Sequence, residues 1–115
     1  MELEVKANKR IEDGKHKGVI SRIEYRTEPF EYTDVYINMP EEKIEVKYGC
    51  PTNLSEQSKL GRLLTSLRVK LEVGKKVDID KELVGKAVEF MTIVRRTKEG
   101  KEFAEIVEDS IKSIL

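Results

Sequence analysis

The chain has 115 residues, with 22 basic and 22 acidic side chains and a formal net charge of zero. That is the size of one domain with a core of its own, and the neutral balance means that any phosphate-binding patch has to be local. A single cysteine rules out an internal disulfide, and no apolar run approaches the roughly 18 residues of a membrane span. Glu2 and Glu4 stand where a secretory leader carries bases, so a cytoplasmic protein with no membrane partner is expected. Lys and Glu dominate the charged set and Trp is absent, a balance like that of heat-adapted proteins.

Residues 1–13 are charged, with sparse apolar positions at Leu3, Val5 and Ile11, and read as an N-terminal arm or short strand. From Gly14 to the end, the pattern is that of one continuous domain. His16 to Arg26 predicts a strand, with Val19, Ile23 and Tyr25 on one face and Ile20, Arg22, Glu24 and Arg26 on the other. Thr27-Glu28-Pro29 ends it, because proline biases the preceding residue away from helix and carries no amide donor. Tyr32 to Met39 alternates cleanly. Thr33, Val35, Ile37 and Met39 make the core side, and Tyr32, Asp34, Tyr36 and Asn38 the outer side. After Pro40-Glu41-Glu42, Ile44, Val46 and Tyr48 alternate with Lys43, Glu45 and Lys47 in a third strand that ends at Gly49-Cys50-Pro51.

Asn53-Leu54-Ser55-Glu56 has the spacing of a helix-opening capping box. Leu60, Leu63, Leu64, Leu67 and Leu71 follow at helical intervals, predicting an amphipathic helix of roughly four to five turns. Gly61 in its middle suggests a site where another stretch of backbone comes close. Asp80 is placed to cap a single turn over Lys81–Val84. Ala87 to Arg96 predicts a fourth strand with apolar residues on both faces: Val88, Phe90 and Val94 on one, Met91 and Ile93 on the other. Lys98-Glu99-Gly100-Lys101 is a hairpin turn, a fifth strand runs from Glu102 to about Glu108, and Asp109 to Leu115 reads as a terminal strand or tail that packs back.

Catalytic chemistry finds little footing. His16 is the only histidine, no second His or Cys joins Cys50 in a zinc set, and Asp78 and Asp80 read as turn and cap residues. Gly74-Lys75-Lys76 and Gly85-Lys86 lack the spaced glycines of a phosphate loop. The expectation is a nonenzymatic protein with no cofactor and no metal.

Three strands, a helix and two further strands are the order of a five-stranded OB barrel, an all-β fold with one helix between strands three and four. Such barrels bind oligonucleotides or oligosaccharides on the outer face of strands two and three. Tyr32 and Tyr36 on that face are candidates for base stacking. Arg22 and Arg26 on the first strand and Lys47 on the third are candidates for phosphate contacts, as are Arg95, Arg96, Lys98 and Lys101 at the hairpin. Tyr25, Tyr48 and Phe90 read as core or rim, and Phe103 can face either way. Two plainer readings stand beside these: tyrosine is a good strand former, and a charged hairpin can be only a solvated turn.

Three stretches carry a family resemblance over residues 14–110. They are Gly18–Ile23 with Tyr32–Ile37, then Ser58–Leu64, then Gly85–Phe90 leading to Gly100–Phe103. Together they resemble small OB-fold single-stranded DNA-binding proteins of phages, archaeal viruses and their hosts. The resemblance implies a single-strand binder, with replication or repair proteins as partners. The zero net charge and the ending Ile111-Lys112-Ser113-Ile114-Leu115, which is not an acidic tail, depart from that pattern. The competing expectation is a protein-interaction module, a homodimer for instance, that uses Met91, Ile93 and Ile114-Leu115.

Overall fold

The computed structural model describes residues 1–3 and 11–114, so most of the expected N-terminal arm and Leu115 lie outside the described residues. The elements in chain order are β1 (Gly14–Arg26), β2 (Tyr32–Met39), β3 (Ile44–Pro51), α1 (Lys59–Ser66), α2 (Ile79–Leu83), β4 (Ala87–Arg96), β5 (Glu102–Ile106) and β6 (Lys112–Ser113). The strands form one antiparallel sheet in the order β3-β2-β1-β4-β5. β6 pairs with Val88 and Glu89 of β4, past the end of β5. β3 and β5 come close to each other, but no ladder joins them, and the sheet is open at that seam.

β1 is long because it serves two neighbours. Gly14–Val19 pairs with β4, and Val19–Arg26 pairs with β2. A bulge between Ile20 and Arg22 interrupts the second ladder. It also corrects the expected faces of this strand. Ile20 is fully buried and Val19 is exposed, yet beyond the bulge it is Ile23 that packs against the core and Arg22 that faces out. One extra residue reverses the alternation, and strict period-two reading cannot see it.

β2 follows its sequence pattern throughout. Thr33, Val35, Ile37 and Met39 are all fully buried, and Thr33 satisfies its hydroxyl on Thr52 Oγ1 at 2.9 Å. Val46, Tyr48 and Cys50 of β3 and Val88, Phe90 and Thr92 of β4 complete the sheet's inner face. The single histidine, His16, is held by the Glu12 carbonyl at 2.7 Å and lies 6.0 Å from the Phe90 ring.

The helix is shorter than its leucine spacing predicts, and its cap is different. Ser58, not Asn53, is the N-cap: its Oγ accepts from the Gly61 amide at 2.9 Å. Residues 55–58 form a turn whose Ser55 carbonyl lies against Gly61, where a methyl group would sit 1.7 Å from the oxygen. That is the close backbone approach the glycine suggested. Leu60, Leu63, Leu64 and Leu67 are buried, and Leu71 lies beyond the helix. Eight residues are too few for a helix to persist alone in water, so docking of this leucine stripe holds α1 in place. Its end is a Schellman motif, with Val69 N donating to the Leu64 carbonyl, Arg68 N to Thr65, and Arg68 at φ 66°. Lys86 Nζ adds a bond to the Leu67 carbonyl at 2.9 Å. In α2 the cap is Asp78 rather than Asp80, through a bond from Lys81 N.

Candidate nucleic-acid interface

The outer face of β1, β2 and β3 is built in rows by the strand registers. Arg26, Tyr32 and Pro51 lie side by side in one row, Glu24, Asp34 and Gly49 in the next, and Arg22, Tyr36 and Lys47 in the third. Three strands thus bring together five of the nine residues singled out from sequence. Each tyrosine sits next to an arginine, because directly opposed residues of antiparallel strands project to the same side.

The arginines lie over the rings. The Arg22 guanidinium carbon is 3.8 Å from the centre of Tyr36, and that of Arg26 is 4.9 Å from the centre of Tyr32. Both tyrosines are half-buried as a result. Glu45 holds Arg22 from the neighbouring row at 2.7 Å, with a second contact from Glu24. The hydrogen bond to Glu45 raises the Arg22 pKa, and the same bond lowers that of Glu45. Asp34 holds Arg26 through a forked pair of bonds at 2.6 and 3.2 Å, which raises the Arg26 pKa. Gly49 makes room for this pair, since a Cβ there would stand 3.1 Å from Asp34 Oδ1 and 3.4 Å from the Tyr32 ring.

Three cations and three carboxylates share this face, so its charge is balanced, and the carboxylates position the arginines. Lys47 is exposed and makes no ion pair among the described residues. Alternation along β2 placed Asp34 on this face from sequence alone. The contribution of Glu45 needed the register, because it reaches Arg22 from two strands away.

The hairpin residues divide. Arg95 is paired with Glu105, and Arg96 with Glu102 at 2.9 Å. Lys98 and Lys101 in the turn are exposed and, among the described residues, free of ion pairs. Arg95 stands opposite Phe103 on the sheet's outer surface, which settles the orientation of that ring: Phe103 faces outward and is 47 % exposed. Phe30 in the β1–β2 turn is a second exposed aromatic that the sequence pattern did not single out. Tyr25 is a rim residue, its hydroxyl 3.1 Å from Asp80, whereas Tyr48 and Phe90 are core.

Of the competing interaction surface, Leu115 lies outside the described residues, and Ile114 does not merge into one patch with Met91 and Ile93. Met91 and Ile114 are exposed and Ile93 is half-buried. The charged row Lys17–Glu89–Lys112 runs across the sheet between the level of Met91 and that of Ile114. Among the described residues no group of His, Cys, Asp and Glu gathers where it could hold a metal ion, and no helix is long and apolar enough to cross a membrane. No protein-family model matches the sequence, and no curated protein is detectably similar to it.

Proposed function

We propose that this protein binds single-stranded nucleic acid, DNA in the first instance, on the outer face of β1, β2 and β3. The observation that carries this reading is the pair of guanidinium groups resting over Tyr36 and Tyr32 on an open sheet face. Arginine planes take stacked bases much as aromatic rings do, and each arginine here is already held by a ring and a carboxylate. Lys47, Lys98 and Lys101 supply cations that, among the described residues, are not paired with carboxylates. The sheet belongs to an OB-type barrel in this reading: its strand order lacks only rungs between β3 and β5 to become a closed ring. Replication or repair proteins are the partner class that fits such a binder.

The test is titration of a fluorescent oligothymidine at several salt concentrations. With about three unpaired cations engaged, the logarithm of the binding constant should fall against the logarithm of salt with a slope of about −2. Tyr36→Ala and Arg22→Ala should weaken binding more than Lys43→Ala, which alters a residue in the β2–β3 turn. Absence of binding at low salt ends the proposal, and a Tyr36→Ala variant that binds as wild type does, beside weakened Arg22→Ala and Lys43→Ala, would leave charge alone, without stacking.

A further inference from the structure

The seam between β3 and β5 is a groove of approximately 640 Å³ whose walls are Ile44–Lys47 on one side and Glu102–Glu105 on the other, with Val94 and Ile11 also lining it. The two strands come within 8 Å at Cα. A peptide strand inserted between them with ladders on both sides needs roughly 9.5 Å, so a protein strand is too wide for the place where they meet. The groove's outer lip has different chemistry on its two sides. Lys47 stands on the β3 lip, and Phe103, with no arginine lying over its ring among the cation–ring contacts of the described residues, stands on the β5 lip. The carboxylates lining the groove are occupied: Glu45 by Arg22, Glu105 by Arg95 and Glu102 by Arg96. Lys47 on its lining and, in the turn leading into β5, Lys98 and Lys101 are exposed cations that make no ion pair among the described residues.

We propose that a bound single strand leaves the three-strand face beside Lys47, crosses the β3–β5 seam and stacks a base on Phe103. The inference rests on the proposed function and adds a subsite to it. The tyrosines already spend a ring face on arginine, whereas the Phe103 ring is exposed and next to Arg95, whose guanidinium is fixed by Glu105. Continuity supports the path. Lys47 belongs both to the Arg22–Tyr36–Lys47 row and to the groove, so one chain of nucleotides passes from the first to the second without a gap.

The experiment compares wild type, Phe103→Ala and Met91→Ala on oligothymidines of about four and about twelve nucleotides, a span chosen to fall short of the seam and to cross it. Phe103 and Met91 are equally exposed at 47 %, so neither change should disturb the fold, and circular dichroism checks that. Loss of one stacked base should weaken the longer oligonucleotide roughly 5- to 150-fold in Phe103→Ala and leave the shorter one unchanged. Met91→Ala should bind both as wild type does. Wild-type binding that is untouched by Phe103→Ala overturns the seam crossing while the three-strand face stands. Equal weakening of both lengths overturns the crossing as well, because it places Phe103 within the first subsite. A wild type that binds neither length overturns the parent reading and this one with it.

Discussion

The Arg26 guanidinium grips the Asp34 carboxylate with Nε at 2.6 Å and a second nitrogen at 3.2 Å, and Asp34, although it points to the outside of the sheet, is only 1 % exposed. A carboxylate that has lost its water depends on the cation that replaced it. Arg26→Ala should therefore lower the melting temperature, and adding Asp34→Asn should recover part of the loss because the stranded charge is gone. Arg26→Lys should recover less, since an ammonium offers no planar fork to both oxygens. Thermal denaturation of the four proteins checks the order. A double variant less stable than Arg26→Ala would show that Asp34 does not rely on this partner.

At Gly61 the constraint is steric. A methyl group would sit 1.7 Å from the Ser55 carbonyl oxygen and 3.0 Å from Ser58 Oγ, which is the helix cap itself. Alanine is the better helix former, so a position governed by propensity would be stabilised by about 1 kcal/mol on Gly61→Ala. Here the substitution should cost about 2–4 kcal/mol, because the 55–58 turn must move off the helix. Urea unfolding of the variant decides between the two signs.

Where one residue's periodicity set the structure, the sequence could be read directly. The buried and outward sets of β2 and the inward positions of β3 follow from alternation, and the limits of β4 at Ala87 and Arg96 from the glycine-containing turns on either side of it. Where two segments compete for the same role, it could not. The Asn53–Glu56 capping box is a sound local signal, yet Ser58 takes the cap because the Ser55 carbonyl must fit against Gly61, a contact between segments. The bulge after Ile20 is likewise set by the pairing of β1 with two strands at once. In the candidate site the positions of Tyr32, Tyr36, Arg22 and Lys47 on one face were legible. The coverage of each ring by its neighbouring arginine was not, because it depends on which residues of β1 and β2 stand opposite each other.

Arg68 occupies the left-handed position of a Schellman motif, with φ at 66° and its side chain exposed. Glycine takes that conformation without strain. Arg68→Gly should stabilise the protein by roughly 0.5–1 kcal/mol, after allowing for the greater freedom glycine gains in the unfolded chain. Chemical denaturation measures it, and a destabilised variant would mean that the arginine side chain contributes contacts of its own.

Alkaline pH should weaken the fold in two stages. Burial pushes the Cys50 thiol up to about 12 and the Tyr48 phenol, also through burial, up to about 12. In the unfolded chain these groups ionise near about 8.5 and about 10. Each folded-state value lies above its unfolded one, so the folded protein holds protons that the unfolded chain releases. Their contribution is fully present below the unfolded values and is lost as pH rises towards about 12. Between about pH 9 and 10 Cys50 alone should lower stability by up to about 1.4 kcal/mol per pH unit, and above that Tyr48 should steepen the fall. Cys50→Ala should flatten the first stage, read as the slope of unfolding free energy against pH rather than its absolute value. A slope unchanged by that substitution would show that the thiol ionises in the folded protein much as it does in the open chain, and a native protein that reacts readily with a thiol reagent at pH 8 would say the same.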